Sequence, residues 1–88
     1  MQVITTRQFE KDTEKELNKK LQQQLADIIE QLQKADHLME IPHLKKMKGY
    51  TNAYRIRFGD YRLGFLLESN TIILSRVMNR KEIYRYFP

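Results

Sequence analysis

Between Ala53 and Phe65 arginine alternates with apolar and aromatic side chains: Tyr54, Arg55, Ile56, Arg57 and Phe58, then Gly59-Asp60, then Tyr61, Arg62, Leu63, Gly64 and Phe65. A period of two is that of a strand with one face buried. Gly59-Asp60 suits a two-residue turn with glycine at the first central position of a type II′ turn. Folding the segment about that turn opposes Phe58 to Tyr61, Arg57 to Arg62, Ile56 to Leu63, Arg55 to Gly64 and Tyr54 to Phe65. The apolar and aromatic residues then share one face, while Arg55, Arg57, Arg62 and Gly64 share the other. A slip of one residue destroys that sorting.

Arg57 opposite Arg62 places like charges in contact, which weakens a hairpin by a few tenths of a kcal/mol or more. Ala at either position should therefore leave stability unchanged or slightly raised. Guanidinium forks match phosphate oxygens bidentately, so the arrangement is suited to a phosphate or a nucleic acid. Gly64, lacking a side chain, is expected to leave room for a ligand backbone.

The elements that position this face can be read along the chain. Gln2–Thr6 is a short strand. Phe9, Thr13 and Leu17 recur every fourth residue, and Leu21, Leu25, Ile28 and Leu32 continue the spacing, with Ile29 widening the stripe. Asn18 is a good N-cap and a poor interior residue, so the region divides into two helices, 7–17 and 19–35, forming an antiparallel hairpin whose stripe packs on a sheet. Residues 35–47 lack periodicity, contain Pro42 and read as a loop. Its histidines, His37 and His43, are expected to be exposed and without a catalytic partner. A third strand, 71–78, follows the Ser69-Asn70 turn; a bulge at Asn70 would reverse its faces, so Ser75 and Arg76 receive no face. Asn79 is expected to cap a last helix, 80–87, with Glu82 at the N3 position of a capping box. The order is β-α-α-β-β-β-α, a single α+β domain spanning 1–88 with its helices on one sheet face.

Composition narrows the chemistry. The 88 residues contain no cysteine and two histidines, so a disulfide framework, a cysteine nucleophile and a cysteine-type zinc site are excluded. No apolar run approaches the ~20 residues needed to cross a bilayer, and the N-terminus has no secretion-signal pattern, so a cytoplasmic protein is expected. The net charge of +5 is unevenly distributed. Residues 1–44 hold six Lys/Arg and eight Asp/Glu, whereas 45–88 hold ten and three, together with all five tyrosines. A half carrying +7 and rich in Arg and Tyr is suited to a polyanion. None of the three glycines belongs to a phosphate-cradling loop before a helix, and the basic half has no paired acids for metal-assisted chemistry. Phosphodiester cleavage on such a surface would be metal-free, with a ribose 2′-hydroxyl attacking and cations stabilising the transition state, which restricts the substrate to RNA.

Three stretches together resemble the RelE/ParE superfamily of bacterial toxins: Leu44-Lys45-Lys46-Met47-Lys48-Gly49-Tyr50, the Tyr54–Phe65 segment, and Arg76 through Phe87. With the helical hairpin, the resemblance covers nearly the whole chain. It implies the toxin of a type II toxin–antitoxin pair, neutralised by a cognate antitoxin and reaching DNA only through the antitoxin complex. The RelE-like branch implies a ribosome-dependent endoribonuclease that cuts mRNA without a cofactor. By that resemblance Arg57, Arg62 and Arg80 hold the scissile phosphate and Arg55 joins them. Tyr84, or Tyr86 with a shifted helix, stacks on a base or assists proton transfer. Lys45, Lys46, Lys48 and Lys81 would contact the RNA. Many relatives carry histidine where this chain has Asn79, and an amide cannot titrate near neutrality, so the base is unassigned. The alternatives are a ParE-like inhibitor of DNA gyrase, or a homologue that only binds its antitoxin.

Overall fold

The computed structural model describes residues 1–88. Strand β1 (Gln2–Thr5) leads into helices α1 (Arg7–Glu16) and α2 (Lys19–Lys34), then come strands β2 (Leu44–Lys46), β3 (Ala53–Phe58), β4 (Tyr61–Glu68) and β5 (Thr71–Asn79), and finally α3 (Ile83–Tyr86). The strands form one sheet in the order β1-β5-β4-β3-β2, with β1 parallel to β5 and the other neighbours antiparallel.

Local chemistry explains the helix boundaries. Thr6 Oγ1 accepts from the Phe9 N–H at 3.1 Å and starts α1. Leu17 turns extended, and Asn18 Oδ1 accepts from the Leu21 N–H at 2.9 Å to start α2, the division expected at Asn18. Phe9, Leu17, Leu25 and Leu32 pack with Ile56, Phe58, Leu63, Phe65, Ile72, Leu74 and Val77 in the main core. Each such side chain contributes about 1.5–3 kcal/mol on burial. The β3–β4 register is the expected one at every pair, and Gly59 has φ +61. Tyr54 stacks on Phe65 across it, ring centroids 5.5 Å apart.

Several expectations need correction. The loop 35–47 contains a short 3-10 turn at Leu38–Glu40 and the edge strand β2, whose Leu44 and Lys45 stand opposite Ile56 and Arg55. Three residues are too few to show a period, and their pairing is set by β3. Ser69 and Asn70 form a two-residue turn, both at positive φ; the faces of Ser75 and Arg76, left open in the sequence, are set by a bulge at Ser75, between the Gly64–Arg76 and Phe65–Leu74 pairs. It lets both Leu74 and Val77 face the main core, although they are an odd number of residues apart.

The last helix is also shorter than expected. It begins at Ile83, and Asn79 ends β5 while its Oδ1 accepts from the Lys81 N–H at 2.9 Å. The Glu82 side chain makes no cap and faces Arg85 at 3.9 Å. Finally, the helices do not all lie on one sheet face. Ile83 and Phe87 join Met47 and Ala53 in a second, smaller core against Leu66 and Met78, on the arginine side of the sheet. Gly64 serves this contact. A Cβ there would stand 2.6 Å from the Phe87 ring, so the missing side chain admits Phe87 and leaves no room for a ligand.

Candidate functional site: a cationic cleft at the hairpin end

The β3–β4 hairpin carries Arg57 and Arg62 as a directly opposed pair. Arg80 reaches the same end of the sheet because its N–H donates to the Asp60 carbonyl at 2.7 Å, tying the segment after β5 to the hairpin turn. All three arginines line a cleft of about 730 Å³, bounded by Asp27, Ile28 and Gln31 of α2 and by Pro42 and His43. Arg62 Nη1 donates to the carbonyls of Gly59 at 3.1 Å and Tyr61 at 2.9 Å, which fixes its guanidinium beside the turn. None of the three arginines takes part in an ion pair; the pairs formed are Lys34–Glu30, Arg76–Asp12 and Arg85–Glu82.

Partial burial pushes the Arg62 guanidinium below its usual value, and the positive fields of Arg55, Arg57 and Arg80 push it further, against an opposing influence of Tyr84. Arginine keeps its charge under such a shift. Burial is the largest cause of the shift; the part due to Arg55, Arg57 and Arg80 reflects the clustering of positive charge around Arg62, which favours an anion.

The sheet carries a second, smaller depression. Lys45, Lys46, Met47, Lys48, Arg55 and Tyr84 line it, and Tyr84 is 58% exposed. The residues expected at the site thus divide in two, with Arg57, Arg62 and Arg80 in the cleft and Arg55, the lysines and Tyr84 in the second depression. Lys81 and Tyr86 line neither depression. Tyr86 instead lies against Arg76, whose guanidinium carbon is 5.6 Å from the ring centroid. No three His, Cys, Asp or Glu side chains come together as a metal-holding group.

Two residues are more engaged than the sequence suggested. His37 and His43 are both exposed, as expected, but His43 has a partner: Arg57 Nη2 lies 3.1 Å from its Nδ1. The His43 carbonyl also accepts from the Arg57 N–H at 3.2 Å and from Arg55 Nη1 at 3.4 Å. The pairing of β2 with β3 brings these residues together, so no spacing in the sequence announced it. Asp12 in α1 is only 4% exposed and accepts from Arg76 Nε at 2.7 Å, from Arg76 Nη2 at 3.2 Å and from the Val77 N–H at 3.2 Å. It satisfies the edge of β5 where β1 has ended.

Comparison with known proteins gives a consistent picture. Residues 3–84 match the family described as "ParE toxin of type II toxin-antitoxin system, parDE". The chain is 42% identical over 89 residues to Toxin RelE3 of Methanocaldococcus jannaschii, covering 100% of both chains. It is also similar to the toxin in the RelB–RelE antitoxin–toxin complex of Methanococcus jannaschii, with 40% identity, 97% of this chain and 99% of that chain covered, and a TM-score of 0.81. The archaeal RelE–RelB complex of Pyrococcus horikoshii OT3 shares the fold at 21% identity, with 93% and 97% covered and a TM-score of 0.75.

Proposed function

The chain belongs to the ParE/RelE toxin family, and from that premise we propose that it is a RelBE-type toxin that halts translation by cutting mRNA on the ribosome. The observation that carries this reading is the convergence of Arg57, Arg62 and Arg80, none of them ion-paired, on one cleft. A phosphodiester in that cleft is held by bidentate guanidinium contacts. When its 2′-hydroxyl oxygen attacks phosphorus, negative charge grows on the phosphoryl oxygens, within reach of these donors. Each donor of that kind is worth about 2.7–4 kcal/mol in rate.

The chemical step needs no metal ion, because the attacking group belongs to the substrate and fixed cations supply the charge stabilisation. Arg55, Lys45, Lys46 and Lys48 extend the positive track for flanking phosphates, and the exposed ring of Tyr84 offers a base a stacking surface. The protein works in the cytoplasm, where translating ribosomes are, and a cognate RelB-type antitoxin holds it inactive; that complex is its only route to DNA. No helix is long and apolar enough to cross a membrane.

Overproducing the protein and mapping 5′ ends on translated transcripts tests the reading. New 5′-hydroxyl ends inside coding regions are expected, and a 2′-deoxy nucleotide at the scissile position should abolish them. A short RNA cut at high protein concentration with chelator present should still be cleaved. Intact mRNA alongside cleaved or poorly supercoiled DNA would point instead to a gyrase inhibitor, and antitoxin binding with neither effect to an inactive homologue.

A further inference from the structure

Resting on the endoribonuclease reading, we propose that His43 is the general base that takes the proton from the attacking 2′-hydroxyl, and that Arg57 keeps it masked until a phosphate enters the cleft. A cleavage of this kind needs a proton acceptor beside the arginines. The charged groups facing the cleft are Asp27 from α2, Arg57 from β3, Asp60 in the hairpin turn, Arg62 from β4 and Arg80, with Arg55 against the His43 carbonyl. Guanidinium groups do not give up their protons, and carboxylates as a class are weak bases at neutral pH. An imidazole is the side chain suited to accept a proton there, and His43 is the one in the cleft.

The geometry specifies its state. A guanidinium can only donate, so with Arg57 Nη2 at 3.1 Å the Nδ1 atom of His43 carries the lone pair and Nε2 carries the hydrogen. The residue holds this position at φ +65, in the left-handed region, which histidine enters more readily than most side chains. The fixing contacts are made to its carbonyl, from the Arg57 N–H and from the Arg55 side chain through Nη1.

The step follows from these positions. A phosphate entering the cleft offers Arg57 an anionic acceptor in place of a neutral nitrogen, and the guanidinium turns to it. Nδ1, now free, takes the 2′-hydroxyl proton as O2′ attacks phosphorus. The O2′–P bond forms and the P–O5′ bond breaks, its electron pair leaving with O5′, which takes a proton from water. The hydroxide so formed removes the proton from the imidazolium. The products are a 2′,3′-cyclic phosphate and a 5′-hydroxyl, and His43 returns to its starting state.

Single-turnover cleavage of mRNA on programmed ribosomes tests this with two variants. His43→Gly suits the left-handed backbone and should fold at least as well as the wild type. Its rate should fall about 100-fold or more, and added imidazole should restore part of it in proportion to the free-base form. His43→Gln can still accept a hydrogen bond from Arg57 but cannot take a proton, so it should be as slow as His43→Gly. Both variants should bind programmed ribosomes as tightly as the wild type. A His43→Gly rate equal to wild type, no rescue by imidazole, or full activity in His43→Gln would overturn the assignment while leaving the endoribonuclease reading in place. A wild-type protein that cuts no RNA would remove both.

Discussion

Arg57 and Arg62 face each other across the β3–β4 ladder, but their other bonds differ. Arg57 donates to the exposed His43 imidazole, whereas Arg62 donates to two carbonyls of its own turn. Their Ala variants should therefore differ in stability. In Arg57→Ala, lost like-charge repulsion outweighs one solvent-exposed hydrogen bond, so stability should hold or rise by a few tenths of a kcal/mol. In Arg62→Ala the two lost bonds cancel that relief, and a fall of up to about 1 kcal/mol is expected. Both should lose about 10²–10³ in cleavage rate, because each removes a donor to the developing charge. Denaturant midpoints and single-turnover rates on the same preparations check this. Loss of stability with activity per folded molecule intact would make either arginine a scaffold residue.

At the scale of elements, α3 is the piece with the smallest anchor. Four residues cannot hold a helix by themselves, so its position depends on Ile83 and Phe87 in the second core. The Phe87 ring occupies the space left by Gly64. A Gly64→Ala change should force the ring out and cost about 1–3 kcal/mol. It should also reduce cleavage by more than the unfolded fraction explains, because Tyr84 moves with α3. Phe87→Ala should cost about 3–5 kcal/mol as a large-to-small change. The double variant should cost less than the two singles together, since the new methyl then meets no ring. Additive effects in that thermal or denaturant cycle would argue against the contact.

For the molecule as a whole, one buried ion pair joins the two sides of the sheet's organisation. Asp12 on α1 meets Arg76 just past the bulge in β5, and Arg76 in turn lies against Tyr86 on α3. Asp12→Ala removes the acceptor for Arg76 and for the Val77 N–H. Because Arg76 retains some access to water, the expected loss is about 2–3 kcal/mol rather than the larger cost of a sealed charge. Asp12→Asn, which keeps an acceptor oxygen, should lose less. Thermal unfolding of the two variants separates the hydrogen-bonding role from the charge.

Periodicity and end chemistry alone determined much of this protein. The Asn18 division, the helix stripe, the hairpin register and the arginine face are local patterns, each written within a few residues by a period, a cap or a turn. The bulge has a local trace as well, in the shift of phase from Ile72 and Leu74 to Val77. Other features have no local period to reveal them. Strand β2 exists because β3 offers an edge, and that pairing alone sets His43 beside Arg57. The role of Gly64 depends on Phe87, 23 residues away, and the burial of Asp12 on Val77, 65 residues away. Contacts over such separations are decided by which surfaces remain uncovered once the sheet has formed, and that is a property of the tertiary structure.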